Sequence, residues 1–328
     1  VAVAVTLIYI TPLVKPKPLD AFGYNKLLGR GINLGNALEA PVEGAWGIRL
    51  EEEFFAIIAE AGFDSVRIPI RWSAHALKEP PYTIDDEFFA RVDWAIDQAT
   101  ENGLAAIINM HHYDEIFQEP AKHRERFLAM WQQISEHYQD APGTVAFEFL
   151  NEPHAALTDS IWNELAAETL ALVRQTNPTR TVIMGPTNWN GIDALTKFVI
   201  PDDPYLIVTV HYYSPFQFTH QGADWVSGSY PWLGREWPGS PIAPQMIEMD
   251  FEKATTWASE RGVPLFLGEF GAYSKADIDS RVRWTTHVVE TAEAQGMSWA
   301  YWEFASGFGA YDRIYGKWHE QLLGALIQ

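Results

Sequence analysis

The sequence predicts a single-domain (β/α)8 barrel on three observations. Strand-like apolar runs alternate with amphipathic helical segments from about residue 30 to the C-terminus, eight of each. The chain has 328 residues, within the usual range for such a barrel. Polar and ionisable residues gather at the C-terminal ends of the strand-like runs, where barrels of this kind build their sites. A doubly wound open sheet is the structural alternative. It needs a Gly-rich phosphate turn, and neither G-x-G-x-x-G nor a P-loop is present.

The first strand is expected at 31–35. Apolar residues at helical spacing over 50–61 (Phe54, Ile57, Ile58, Ala61) stop at Gly62. A second strand over 64–70 leads to a helix over 85–102 that ends at Gly103. The third strand, 104–110, runs into His111 and His112, and 120–138 reads as helix. The fourth, 144–153, opens after Pro142-Gly143 and closes at Pro153. Then come a helix over 159–175, strand 180–185, a short helix near 191–199 and strand 206–210. A long segment, 212–243, precedes a helix over 244–261. Strand 263–268, helix 276–294, strand 298–302 and helix 319–327 complete the pattern.

Composition narrows the function. With 47% hydrophobic and 20% charged residues the chain is globular. A formal net charge of −20 argues against nucleic acid and anionic membranes as partners and leaves neutral substrates open. The absence of Cys removes disulfides, thiolate nucleophiles and thiolate metal ligands. Residues 1–18 are an apolar stretch followed by a Pro-Lys segment. They read either as a signal remnant, which favours an extracellular protein, or as an extra β-rich arm, which leaves a cytoplasmic one open. The barrel is assigned to 19–328, with no linker and no appended carbohydrate-binding module.

The strand ends carry the chemistry. Arg67 lies on the second, His111 and His112 end the third, and Asn151 and Glu152 end the fourth. His211 and Tyr213 follow the sixth, Glu269 the seventh, Trp302 and Glu303 the eighth. Two carboxyl groups across a barrel mouth suggest glycoside hydrolysis, which needs one protonated acid and one ionised nucleophile or base. Strand alternation puts Leu265, Leu267 and Glu269 on one face, taken as the inner one. A nearby Arg67 would hold Glu269 ionised, and Tyr213 would donate to it. Apolar walls and neighbouring negative charge would keep Glu152 protonated. Asn151 is placed for the sugar hydroxyl beside the reacting carbon.

Seven segments carry a family resemblance: Arg30-Gly-Ile-Asn-Leu-Gly-Asn-Ala-Leu-Glu39, Val66-Arg-Ile-Pro-Ile-Arg-Trp72, Asn109-Met-His-His112, Asn151-Glu-Pro153, His211-Tyr-Tyr213, Gly268-Glu-Phe-Gly271 and Tyr301-Trp-Glu303. In this order they resemble a glycoside hydrolase family 5 endoglucanase of clan A. The chain is most similar to the thermophilic bacterial cellulase-mannanase group, through Pro215 to Trp225 and Ala300 to Asp312. The resemblance implies retaining double displacement on β-1,4-glucan, with mannan or glucomannan as further substrates and no cofactor. It makes Glu152 the acid/base and Glu269 the nucleophile, supported by Arg67, His111, Asn151, His211, Tyr213 and Trp302. Substrate contacts would be Asn36, Glu39, His112, His220, Trp225 and Glu303. A primary β-mannanase and a carbohydrate-binding barrel without catalysis remain as alternatives.

Other readings of single residues stand beside these. His111 and His112 as joint metal ligands is awkward, because neighbouring strand residues point to opposite faces, so no metal is expected. Glu148 competes with Glu152 as the acid, but it lies deeper and reads as a buried, paired residue. Trp302 is either core or a stacking surface for a pyranose. Trp94, Trp131, Trp162 and Trp284 read as helix residues packed on the barrel, and some Trp of the long loop as anchors.

Overall fold

In a computed structural model describing residues 18–328, eight parallel strands close into one barrel. They are β1 (Arg30–Asn33), β2 (Ser65–Ile68), β3 (Ala105–Asn109), β4 (Val145–Glu148), β5 (Val182–Met184), β6 (Leu206–Tyr212), β7 (Leu265–Phe270) and β8 (Ser298–Tyr301). β1 pairs with both β2 and β8, which closes the ring. Helices Glu52–Glu60, Asp86–Glu101, Pro120–His137, Asp159–Val173, Ala243–Arg261, Ile278–Ala294 and Glu320–Leu326 lie in the expected places. The crossover from β5 to β6 is instead a 3-10 turn, Ile192–Lys197. Residues 1–17, where the signal or arm reading falls, lie outside the described residues. Among the described residues no helix is long and apolar enough to cross a membrane.

The core has two parts because each strand presents alternate residues inward and outward. The outer layer joins strands to helices and contains Trp131, Trp162 and Trp284, all fully buried, as expected; Trp94 is partly buried. Each of the three donates its indole N–H to a carbonyl just past a strand: Trp131 to Phe149 at 3.0 Å, Trp162 to Gly185 at 2.8 Å, and Trp284 to Ser214 at 3.0 Å. Buried indoles need such partners, and these also fix the height of the strand ends. The inner layer holds Ile107, Ala146, Ile183, Ile207, Phe266 and Ala300. Its floor is a helix the sequence reading did not place, Ala21–Leu28, which contributes Ala21, Tyr24 and Leu28. Asp20 caps it, accepting from the Gly23 N–H at 2.8 Å.

Two expectations are corrected. β4 ends at Glu148, not at Pro153, although Phe149 and Asn151 still donate backbone bonds to Ile183 and Met110. Pairing with both neighbours therefore fades gradually, and Glu152 lies on the loop beyond. In β7, Leu265 and Leu267 face the helices and Phe266 faces the interior, the reverse of the expected parity. A β-bulge restores Glu269 to the inside: Val210 pairs with Leu267 but His211 pairs with Glu269, which leaves Gly268 as the extra residue. Gly268 is required there, since a Cβ would come within 2.5 Å of Thr209 Oγ1.

The sequence reading also missed the short strands Tyr311–Asp312 and Lys317–Trp318, an antiparallel pair outside the barrel. Leu28 is wholly buried in the barrel floor. Leu28→Ala is expected to cost about 2–5 kcal/mol, read as a lower urea midpoint at unchanged slope. A loss below about 1 kcal/mol would mean the floor helix does not seal the interior.

Candidate active site

The site is built upward from Arg67, which points into the barrel from β2 and has no exposed surface. Its guanidinium has five N–H donors, and all five are used. Nε and Nη2 grip Glu148 in a bidentate pair, both at 2.6 Å. Nη1 donates to Asn33 Oδ1 at 2.8 Å and to Glu269 Oε1 at 2.7 Å. Nη2 also donates to Asn151 Oδ1 at 2.8 Å. Burial raises the pKa of Glu148, but Arg67 outweighs it and holds the carboxyl below its usual range. Glu148 is thus the paired support beneath the rim.

Asn33 and Asn109 extend this layer. Asn33 donates to the carbonyl of Gly268 at 3.0 Å, which ties the β7 bulge to β1. Asn109 lies 3.4 Å from Glu148 Oε1 and 3.0 Å from His111 Nδ1.

Above it sit Glu152 and Glu269. Glu269 is buried; Arg67 holds one oxygen and the Tyr213 hydroxyl donates to the other at 3.0 Å. Burial leaves its pKa raised, although His211 and Arg67 pull against the rise. Tyr213 stays protonated, its pKa raised by burial and by Glu269. Glu152 has no bond to Arg67 and keeps about 25% of its side chain exposed to the cleft. Burial pushes its carboxyl up to about 7. One oxygen of each carboxylate and a ring nitrogen of His211 all lie within 4.8 Å of one another.

His211 links the two. Its Nδ1 is 2.8 Å from Glu152 Oε1 and 3.6 Å from Glu269 Oε2. Asn190 Nδ2 donates to its Nε2 at 3.2 Å, which puts the imidazole proton on Nδ1, facing Glu152. Burial lowers the His211 pKa to about 4, so the ring is neutral near pH 7. Glu152 itself has a positive φ of 50°, a conformation side-chain-bearing residues seldom adopt. His154 Nδ1 donates to its carbonyl at 2.6 Å.

The remaining predicted residues fall into two groups around this centre. On one side Trp302 stacks against His111, with ring centroids 5.8 Å apart and planes 9° apart. Trp302 is only partly buried, so it is no core residue. His112 has a φ of 40°, so the expected alternation with His111 breaks and the two rings meet edge-on at 4.7 Å. Burial lowers the His112 pKa to about 4. The two histidines form no metal-ligand grouping among the described residues. Glu39 is buried and accepts from the backbone N–H groups of Asn36 and Ala37. Glu303 is buried as well, and its Oε2 has no partner among the described residues. Burial raises their pKa values to about 7 and about 8.

On the other side, His220 packs edge-on against Tyr213 at 5.0 Å and stacks on Phe216 at 4.0 Å. Trp225 is exposed and meets Tyr273 at 5.0 Å. Asn33, Asn109, Asn190 and His154 were not singled out from sequence. Asn33 and Asn109 lie inside quoted motifs. Asn190 ends a run of three residues with positive φ, Asn188 to Asn190, which nothing in the local sequence announces.

Three comparisons bear on the whole. The family model described as cellulase (glycosyl hydrolase family 5) matches residues 29–307. The solved structure of endoglucanase Cel5A from Thermotoga maritima superposes with a TM-score of 0.92 at 53% identity, covering 94% of this chain and 100% of that one. The same protein has been solved with cellobiose and with mannotriose. Endoglucanase H of Acetivibrio thermocellus is 37% identical over 301 residues, 92% of this chain but 32% of that protein. The chain thus spans about a third of the length of that relative.

Arg67→Met would leave Glu148 and Glu269 buried without their cation. It is expected to cost about 3–5 kcal/mol in denaturant unfolding near pH 7. The folded pKa of Glu148 is depressed, so its pairing stabilises the native protein above the carboxylate range and is lost as pH falls through the folded pKa. Acid also neutralises the orphaned carboxylates of the variant, so its deficit should shrink as pH falls. A deficit that is constant with pH would contradict the ion-pair assignment.

Proposed function

The chain belongs to glycoside hydrolase family 5, and from that premise we propose a retaining endo-β-1,4-glucanase that also accepts mannan or glucomannan. The observation that carries the mechanism is the approach of Glu152 and Glu269 to within 4.8 Å in contrasting surroundings. Retaining glycosidases hold their carboxyl groups about 5–5.5 Å apart, whereas inverting ones need about 6.5–9.5 Å to admit a water.

Glu269, gripped by Arg67 and Tyr213, is the nucleophile that attacks the anomeric carbon. Glu152 carries the proton for the leaving oxygen. Its raised pKa and its freedom from Arg67 suit it to that task. After departure of the leaving group, Glu152 takes a proton from water, which attacks the glycosyl-enzyme and releases the sugar with its configuration retained. His211 orients Glu152. Asn151, its oxygen held by Arg67, keeps its Nδ2 group for the sugar 2-hydroxyl. Trp302 offers a ring face to the glycone. The similarity to a protein crystallised with both cellobiose and mannotriose supports tolerance of an axial 2-hydroxyl.

Glu269→Ala is expected to abolish release of new reducing ends from soluble β-glucan and from mannan. Undiminished turnover would sink the nucleophile assignment. Initial inversion seen by proton NMR would contradict double displacement, and oligosaccharide binding without hydrolysis by the wild type would mark a non-catalytic barrel. The ratio of kcat/KM on the two polymers separates glucanase from mannanase.

A second prediction concerns pH. Glu152 acts in its protonated form, so kcat/KM should fall as pH rises through about 7. Glu152→Gln should lower kcat/KM on unactivated glucan by ~10²–10⁴. The loss should be far smaller on an aryl glycoside whose leaving group needs no proton, and the alkaline limb should vanish there. Equal losses on both substrates would move the acid role elsewhere.

A further inference from the structure

Of the 14 Trp, three are exposed: Trp46, Trp189 and Trp225. All three lie on loops at the C-terminal rim, after β1, β5 and β6 respectively. Trp46 is 41% exposed, and among the described residues its indole meets one other aromatic ring, that of His112, edge-on at 5.4 Å. Packing therefore does not account for it. The loop that presents it is nonetheless firmly built. Gly44 and Gly47 flank Ala45-Trp46 with φ of 92° and 86°, values open to glycine. Turn bonds run from Ala45 N to Val42 O at 2.9 Å and from Gly47 N to Gly44 O at 3.0 Å. Glu43 locks the loop to the barrel, accepting from Arg91 Nη2 and from the Leu50 N–H, both at 2.8 Å. An exposed, apolar, preorganised indole loses little entropy on receiving a flat ligand.

Its place in the cleft gives the direction. Trp302, whose backbone N–H donates to the carbonyl of Phe270 next to Glu269, begins a line of neighbouring rings that continues through His111 and His112 to Trp46. The surroundings of Glu152 lead the other way: His154 holds its carbonyl and stacks on Trp189 at 4.9 Å. Glu152 serves the leaving group, so the Trp46 end receives the glycone.

We infer that Trp46 is a specificity-determining residue: a stacking platform for a pyranose at the far glycone end of the cleft, which selects for chain length. The inference rests on the endoglucanase reading and sharpens its substrate to oligomers long enough to reach beyond Trp302.

The test compares wild type, Trp46→Ala and Trp46→Phe on cello-oligosaccharides from trimer to hexamer, labelled at the reducing end. Trp46→Ala should lower kcat/KM on the hexamer about tenfold, equivalent to about 1.4 kcal/mol, and leave the trimer within about twofold. The favoured cleavage point should move toward the non-reducing end, since the long glycone register loses its platform. Trp46→Phe should recover most of the loss. A uniform drop at every length, no drop at any, or a shift toward the reducing end would overturn the proposal. Calorimetry of hexamer binding to Glu269→Ala protein, with and without Trp46→Ala, separates this inference from the functional reading. Binding weakened by Trp46→Ala supports the platform even if no variant hydrolyses anything, and unchanged binding refutes it.

Discussion

The structure depends on one buried cation. Arg67 has no water to fall back on, so each of its five donors must find an acceptor inside the barrel. Those acceptors come from β1 (Asn33), β4 (Glu148), the loop after β4 (Asn151) and β7 (Glu269). Satisfying one side chain therefore fixes the relative positions of several strands at the level of the candidate site. It also makes the carboxyl groups of Glu152 and Glu269 unlike. Glu269 shares in the guanidinium charge directly, whereas Glu152 sits beyond it and takes its hydrogen bond from a neutral imidazole. Burial raises the pKa of both, and Glu152, which has no bond to the cation, is pushed up to about 7.

Backbone irregularity does the rest. The bulge at Gly268 turns Glu269 inward against the parity of its strand. Left-handed backbone at Asn36, His112, Glu152 and Asn190 aims side chains that regular strands would direct elsewhere. Such conformations cost energy and persist where the surroundings over-determine them. Glu152 is a case in point, with its carbonyl bound by His154 and its carboxyl by His211.

These same features mark where the sequence stops being legible. The barrel was readable because periodicity and length vary little along a (β/α)8 chain, and strand ends were readable because charge is rare in apolar runs. Arg67, Asn151, Glu152, His211, Tyr213 and Glu269 were singled out that way, and the structure gathers them: Arg67 binds Asn151 and Glu269, Tyr213 binds Glu269, and His211 binds Glu152. Simple alternation got the inward direction of Glu269 right with the wrong neighbours, since a bulge leaves no compositional trace beyond one glycine. It also misjudged His111 and His112, which share a side because of a left-handed residue. The floor helix Ala21–Leu28 escaped notice because it precedes the first strand and belongs to no strand-helix repeat. Asn190 escaped because its value lies in a contact with His211, from a turn that sequence does not specify.

The three indole N–H bonds to strand-end carbonyls have a wider bearing. Trp131, Trp162 and Trp284 anchor the tops of β4, β5 and β6 to the surrounding helices and not to the loops above. The elevation of the site residues that follow these strands is thus indexed to the shell of the barrel. The rim loop bearing Trp46 stands apart from these anchors, whereas the turn bearing Trp189 also carries Asn190, which holds His211. A lineage can lengthen or shorten the Trp46 loop without realigning Glu152 and Glu269 beneath it, but cannot exchange the Trp189 loop without disturbing His211.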